Sequence, residues 1–341
     1  MIIKGLKKNG VEVIECNAQS PSRILRYLKV LEKQRKLDCD AIILGARGDY
    51  YGQPLVPFIK KFSKKSIIFD MMITLYETIV VDRKLIDSRS IKARGLYLLD
   101  LLCIKNSDLV LTDTYEHIKY YVQFYHITSD RFRKLPVGSD EEVFYPRIVE
   151  KKDNRFLVLY WGGFIPLHGV SYIVKAAKIL ESYRDIHFEL RGYGQTYSEA
   201  LSLAKKLDTK NVTFIPKWIP YEMLPNYIAR ADVCLGIFGE TEKARRVIPN
   251  KAVEALAMRK PLITGDSPAA REILINEENS LLVPMANPKA LADAILMLKE
   301  DKDLKDRIAG KGYELFKEKL SSKAIGKELK SILLESVENI K

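Results

Sequence analysis

The sequence predicts an α/β protein built as two doubly wound, Rossmann-like domains whose parallel sheets face a cleft. Three observations carry this expectation. The chain has 341 residues, more than a single hydrophobic core ordinarily organises. Short apolar runs of strand length alternate with longer amphipathic segments throughout, the pattern of repeated βα units. The alternation also restarts at Phe156-Leu-Val-Leu-Tyr160, just after the polar, charged run from Pro146 to Asn154, where a linker is expected.

Composition narrows the class. Hydrophobic residues at 47% and charged residues at 29% are those of an ordinary globular chain. No apolar run reaches the roughly 20 residues of a bilayer span, and the N-terminus lacks the small-residue cleavage pattern of a signal peptide, so a cytoplasmic protein is expected. Cys16, Cys39, Cys103 and Cys234 are scattered in apolar contexts without metal-type spacing and read as buried thiols. The net charge of +12 is spread evenly, with 25 basic and 19 acidic residues in 1–150 and 31 and 25 in the remainder. That evenness argues against a dedicated nucleic-acid arm. One local cluster, Lys60, Lys61, Lys64 and Lys65 on the amphipathic segment Val56 to Lys65, has two readings. It is either a solvated helix face or a peripheral contact with anionic lipid at the inner face of the membrane.

In chain order, Met1 to Gly10 reads as the end of a helix stopped by Gly10. Val11-Glu-Val-Ile-Glu-Cys16 follows as a strand, and a helix covers about Pro21 to Leu37. Ala41-Ile-Ile-Leu-Gly45 is a buried strand, and the loop Ala46 to Pro54 carries the glycines and tyrosines of a surface near a ligand. Ser66-Ile-Ile-Phe-Asp70 is a further strand ending in a carboxylate. Ligands of open α/β sheets gather at the carboxyl ends of strands, so Asp70 is placed at the cleft, with helix capping as the alternative. A helical region runs through Cys103. Ser107 to Thr114 gives a strand and a helix N-cap, with His117 in the helix that follows.

After Phe156-Leu-Val-Leu-Tyr160 come the turn Trp161-Gly-Gly-Phe-Ile-Pro-Leu-His-Gly169 and a helix. His187-Phe-Glu-Leu-Arg191 leads into Gly192-Tyr-Gly194, then a helix to about Leu207 and the strand Val212-Thr-Phe-Ile215. A helix from about Tyr221 and the strand Val233-Cys-Leu-Gly236 complete a second doubly wound domain. In the stretch Arg246-Val-Ile-Pro-Asn-Lys-Ala-Val-Glu-Ala-Leu-Ala-Met-Arg-Lys-Pro261, Pro249 suits a first helical turn and Pro261 ends the helix. Leu262-Ile263-Thr264 reads as a buried strand. The free N–H groups at this helix start, with Arg245, Arg246 and Lys251 around them, make an anion site.

This last stretch resembles the donor-site signature of the family-4 retaining glycosyltransferases, the glycosyl transferases group 1, which have the two-domain GT-B fold. The family carries two glutamates eight positions apart, the first on the transferred sugar and the second on the nucleotide ribose. Glu254, followed by Ala-Leu-Ala-Met-Arg-Lys-Pro, matches the second; Arg246 stands in place of the first. Phe132 to Asp140 with Val143-Phe-Tyr-Pro146 resembles the family's last N-domain strand and its exit to the linker. Similarity continues through Glu272 and Asn279 to Pro284 into a helix over Ala290 to Leu298. The resemblance implies an acceptor-side domain over 1–148, a nucleotide-sugar domain over 149–321, and a final helix over 322–341 crossing back to the first. It further implies a strand and a glycine-rich loop before Met1, so that an N-terminally truncated chain is expected.

On this resemblance the chain transfers a hexose-type sugar from a nucleotide-diphosphate sugar to a glycan, lipid or small-molecule acceptor with retention, using no essential metal. Asp70, Arg246 and Lys251 are the expected catalytic groups. Gly162, Gly163, His168, Arg191, Gly192, Gly194, Trp218, Ile219, Asn250, Lys251, Ala252 and Glu254 are the expected donor contacts. Gly163 and His168 occupy the positions where family members hold the diphosphate with arginine and lysine, which leaves the charge to Arg245, Arg246 and Lys251. Two rival readings stand beside this one: a GT-B nucleotide-sugar epimerase, which needs carboxylates beyond Asp70, and a catalytically silent binding subunit, which Arg246 favours.

Overall fold

The computed structural model describes the chain except residues 19, 21, 46–51, 152–153 and 339–341. The loop read as Ala46 to Pro54 therefore lies outside the described residues as far as 51. Two compact units emerge: Ile2–Pro136 with Ile325–Lys341, and Val137–Ala324.

In the first unit, α1 (Ile2–Lys8) is followed by Gly10 at φ +71. Val11–Cys16 is not the strand its alternation predicts. Val11 and Val13 lie against the core beside Leu6 and Leu111, but the segment's backbone pairs with no strand of the sheet. Alternating burial needs only a core on one side, whereas a strand also needs a hydrogen-bonding neighbour. Cys16, carried by this segment, is consequently only half-buried, as is Cys39, against the expectation of buried thiols. Next come α2 (Arg23–Arg35), capped by the Ser22 hydroxyl, β1 (Ala41–Gly45), α3 (Leu55–Phe62) and β2 (Ser66–Met72). A π-helical turn, Glu77–Asp82, precedes α4 (Ile91–Lys105). Then β3 (Leu109–Thr112), α5 (Tyr115–Tyr125) and β4 (Phe132–Lys134) finish a parallel sheet of order β1-β2-β3-β4, with β1 at its edge.

The second unit runs β5 (Phe156–Trp161), α6 (Val170–Ile179), β6 (Ile186–Arg191), α7 (Tyr197–Lys206), β7 (Val212–Ile215), α8 (Leu224–Arg230) and β8 (Val233–Leu235). It continues through α9 (Asn250–Ala257), β9 (Leu262–Asp266), β10 (Leu281–Pro284), α10 (Pro288–Glu300) and α11 (Lys302–Leu315). All strands are parallel in the order β10-β9-β8-β5-β6-β7. The chain starts in the middle at β5, winds outward through β6 and β7, then crosses to β8. The switch point thus lies between β5 and β8, where loops diverge and leave a crevice at the strands' carboxyl ends. The unit begins at Val137, earlier than the polar run read as the linker, because Phe144 is wholly buried in its core, edge-on to Tyr221 at 5.1 Å. Last, α12 (Ser322–Glu338) places Ile325, Leu329 and Ile332 in the core of the first unit, and the Ser336 hydroxyl is 2.5 Å from that of Ser66 on β2.

Candidate functional site

The turn that leaves β5 lies at the switch point. β5 is apolar on both faces because the sheet is covered on both sides. Its last two side chains therefore leave in opposite directions: Tyr160 joins the core under α6, Trp161 the core under α9. Gly162 follows at φ +121, and its N–H donates to the Arg191 carbonyl at 3.0 Å. The turn after β6 presses against it. At Gly192, φ +127, a Cβ would stand 2.0 Å from the Gly162 carbonyl oxygen, so only glycine lets the two turns meet. This is the role the structure gives the Gly192-Tyr193-Gly194 pattern.

The second wall is the start of α9. Pro249 is its N-cap in extended geometry (φ −76, ψ 150), one residue before the first turn in which the sequence places it; its carbonyl accepts from the Ala252 N–H at 2.9 Å. The proline φ serves an extended cap as well as a helix start, and the capping carbonyl decides between them. One residue into the helix, Lys251 turns inward and is 5% exposed. Its Nζ lies 4.0 Å from the centre of the Tyr160 ring and 3.3 Å from His168 Nδ1. A side chain begun at Gly162 would meet Lys251 Cε and Nζ at 3.3 Å, so the lysine lies directly beneath the glycine turn. His168 is held in place: Nδ1 is 2.8 Å from the Tyr160 hydroxyl and contacts the Gly163 carbonyl, to which that hydroxyl also donates at 2.6 Å. Burial pushes the Lys251 amine well below the usual lysine range, against the opposing pull of Glu254.

Glu254, one turn further along α9, is half-buried rather than paired on an exposed helix face. Its Oε2 accepts from Trp161 Nε1 at 2.7 Å. Burial raises the carboxyl, and the Trp161 hydrogen bond and then Lys251 oppose that rise. Gly162, Gly163, His168, Lys251 and Glu254 therefore form one cluster, completed by Tyr160 and Trp161. Those two aromatics escaped the sequence reading although they directly precede the glycines; counting which face of β5 each side chain takes would have found them.

The remaining expected contacts have surroundings of their own. Arg191 pairs with Glu189 and stacks on Tyr227, 4.0 Å from its ring centre, which satisfies its charge locally. Arg246 ends the short helical turn Glu242–Arg245 and lies 3.8 Å from Glu242. Ala252 is buried beside the core, Asn250 is exposed at the helix start, and Ile219 packs on the core while the neighbouring Trp218 is 68% exposed.

In the other unit, Asp70 lies inside β2, in register with Gly45 and Leu111, and so caps no helix. Its carboxyl is pushed up to about 6 by burial and by the charge of Asp113. Behind Asp113, His117 is fully buried, with Nδ1 2.5 Å from Asp113 Oδ1 and Nε2 3.6 Å from Glu77 Oε2. The Tyr121 hydroxyl donates to Glu77 at 2.9 Å. The four lysines read as one basic helix face do not form one. α3 ends at Phe62, Lys60 is 2.6 Å from Asp108, and Lys65 donates to the Leu37 carbonyl at 2.5 Å. A helix of eight residues cannot carry all four on one side.

Comparisons with known proteins agree with this architecture. Residues 143–315 match the family model described as glycosyl transferases group 1. Alpha-D-kanosaminyltransferase of Streptomyces kanamyceticus is 25% identical over 213 residues, 62% of this chain and 53% of that protein. The capsular polysaccharide biosynthesis glycosyltransferase CapM of Staphylococcus aureus is 24% identical over 187 residues, 53% of this chain and 46% of that one. The chain thus spans about half the length of the curated relatives it matches. Among solved structures, sucrose-phosphate synthase of Thermosynechococcus elongatus superposes with a TM-score of 0.71 at 18% identity, covering 94% of this chain and 81% of that one. Anabaena Alr3699/HepE in complex with UDP-glucose gives 0.70 at 15%, covering 95% and 86%. With that model matched over half of its length and these folds sharing its two parallel-sheet units, the chain belongs to the glycosyl transferases group 1 family and has the GT-B fold.

Proposed function

We propose that the chain is a retaining glycosyltransferase that binds a nucleoside-diphosphate sugar in its second unit and passes a hexose-type sugar to an acceptor. The observation that carries this reading is Lys251, a buried amine beneath the Gly162-Gly163 turn at the switch point of the sheet. A buried lysine set between the start of α9 and the glycine turn before α6 suits a diphosphate, whose charge would restore the proton that burial discourages. Glu254, oriented by Trp161, is the acceptor for ribose hydroxyls. Gly163 and His168 then shape the turn, and Lys251 supplies the charge that an arginine and a lysine supply elsewhere in the family. Leaving-group stabilisation by this cation requires no metal. The names of the two curated relatives, both glycosyl-transferring enzymes, and the UDP-glucose held by HepE support the same reading. Asp70, with its raised carboxyl, is the group proposed to meet the acceptor.

Arg246, in place of the family's first glutamate and beside Glu242, favours a second reading, in which the chain binds the donor without turning it over. A thermal-shift panel of UDP, GDP, ADP and dTDP with their glucose conjugates tests binding. At a hundredfold excess over Kd one of them should add about 2.7 kcal/mol of stability, and silence across the panel overturns the donor site. Nucleoside diphosphate released only when an acceptor is added selects the transferase; binding without release selects the silent subunit.

A further inference from the structure

We propose that the outer face of α4, with the loop that leads into it, docks on the surface of an anionic lipid bilayer. Ala93, Cys103 and Ile104 are completely buried on the inner side of α4. The outer side is apolar too. Ile91, Leu98 and Leu102 are 87%, 54% and 49% exposed, and Gly95 between them is exposed as well. Spacings of four, three and four residues put all four positions on one stripe of the helix. A helix apolar on both sides belongs in an interior, so the exposed stripe is a surface that something covers. Leu85, 57% exposed in the preceding loop, adds to it.

The charge around the stripe selects the cover. From 83 to 105 the exposed cations are Lys84, Arg89, Lys92, Arg94 and Lys105, against one exposed carboxylate, Asp87; Asp100 is buried. Apolar side chains rimmed by cations of one sign match the acyl boundary and the phosphates of an anionic leaflet, where each lysine or arginine adds attraction. Beside the stripe, Tyr76, Ser88, Arg94, Tyr97 and Leu98 line a hollow of about 270 Å³. The surface of the hollow is mainly apolar and so extends the stripe, with the Arg94 guanidinium among its lining groups as the partner for a lipid phosphate. Among the described residues no helix is long and apolar enough to cross a membrane, so the contact is peripheral. This surface is distinct from the lysines near α3, two of which are engaged within their own unit.

The test is co-sedimentation of the full chain with vesicles of phosphatidylcholine alone and with added phosphatidylglycerol. Binding is expected only with phosphatidylglycerol and should weaken as salt is raised. Leu98→Glu and Arg94→Glu should each reduce it about tenfold, while Lys206→Glu, on α7, should not. Circular dichroism and thermal melting of each variant confirm that exposed substitutions leave the fold intact. Equal binding to both vesicles, no binding to either, or a dimer in solution that Leu98→Glu dissolves would each overturn the proposal, the last by making the stripe a protein interface.

Discussion

Lys251→Met is the perturbation that bears most directly on the donor site. The lysine is kept in a place that disfavours its charge, so its removal should stabilise the free protein and damage ligand binding. Methionine has a similar volume and fills the space beneath Gly162. Exchanging a buried charge for a well-packed apolar group is neutral to stabilising by about 1–4 kcal/mol, and losing the contact with the Tyr160 ring costs about 0.5–2 kcal/mol. With central values the balance is a gain of about 1 kcal/mol near neutral pH, and at most about 3.5 kcal/mol. Its pH dependence has a definite sign. The folded-state value lies below 10.5, so between the two the unfolded chain holds a proton that the folded chain lacks, and wild-type stability rises with pH. The penalty is complete below the folded-state value and vanishes near 10.5, so the advantage of methionine should be largest in acid and fade toward alkaline pH. Both tryptophans of the chain, Trp161 and Trp218, lie in the second unit, so their fluorescence during urea unfolding reports on that unit. Affinity for UDP, or for whichever diphosphate the panel selects, should fall by about 1.5–3 kcal/mol in calorimetry, the range for a hydrogen bond to a charged group. A methionine variant less stable than wild type across the pH range, with diphosphate affinity unchanged, would refute both the burial argument and the phosphate role.

Other substitutions probe neighbouring links. Trp161→Phe keeps the packing but leaves Glu254 without its donor, so the urea midpoint should drop by the equivalent of about 1.5–3 kcal/mol; Glu254→Leu in the same chain should recover part of the loss, and strict additivity of the two changes would contradict the pairing. Gly192→Ala places a methyl 2.0 Å from the Gly162 carbonyl at a φ of +127 and should cost at least about 2 kcal/mol. Gly163→Ala, which meets only Ile165 Cγ2 at 3.7 Å, should leave the midpoint nearly unchanged, and equal costs would show that the turns do not meet as described. Asp70, held at about 6 against an ordinary 3.8, opposes folding of the first unit once ionised. That penalty, about 1–2 kcal/mol after allowance for partial exposure, should appear between pH 4 and 7 and be reduced in Asp70→Asn, as read by hydrogen exchange of the β2 amides; Asp100, which burial also pushes up to about 6, supplies the remainder. The same pH response in both proteins would assign it to another group.

The sequence by itself determined the two-domain parallel architecture, most of the strands, the family and the neighbourhood of Glu254. Each is recorded locally: apolar runs of strand length, proline and glycine at element ends, and a contiguous run around α9. Long-range geometry decided the rest. Val11–Cys16 has the alternation of a strand, but whether a strand forms depends on a hydrogen-bonding neighbour that alternation cannot encode. The sequence marks Lys251 as one of three cations around the start of α9; only the fold of α9 against β5 buries it under Gly162 and sets it on Tyr160. Arg191 carries the same formal charge and lies at the end of the neighbouring strand, yet it has Glu189 and Tyr227 as partners, which its charge alone does not reveal. A side chain's type is written in the sequence, but its protonation, its partner and its exposure are set by distant segments brought within a few ångströms, and those contacts exist only in the folded chain.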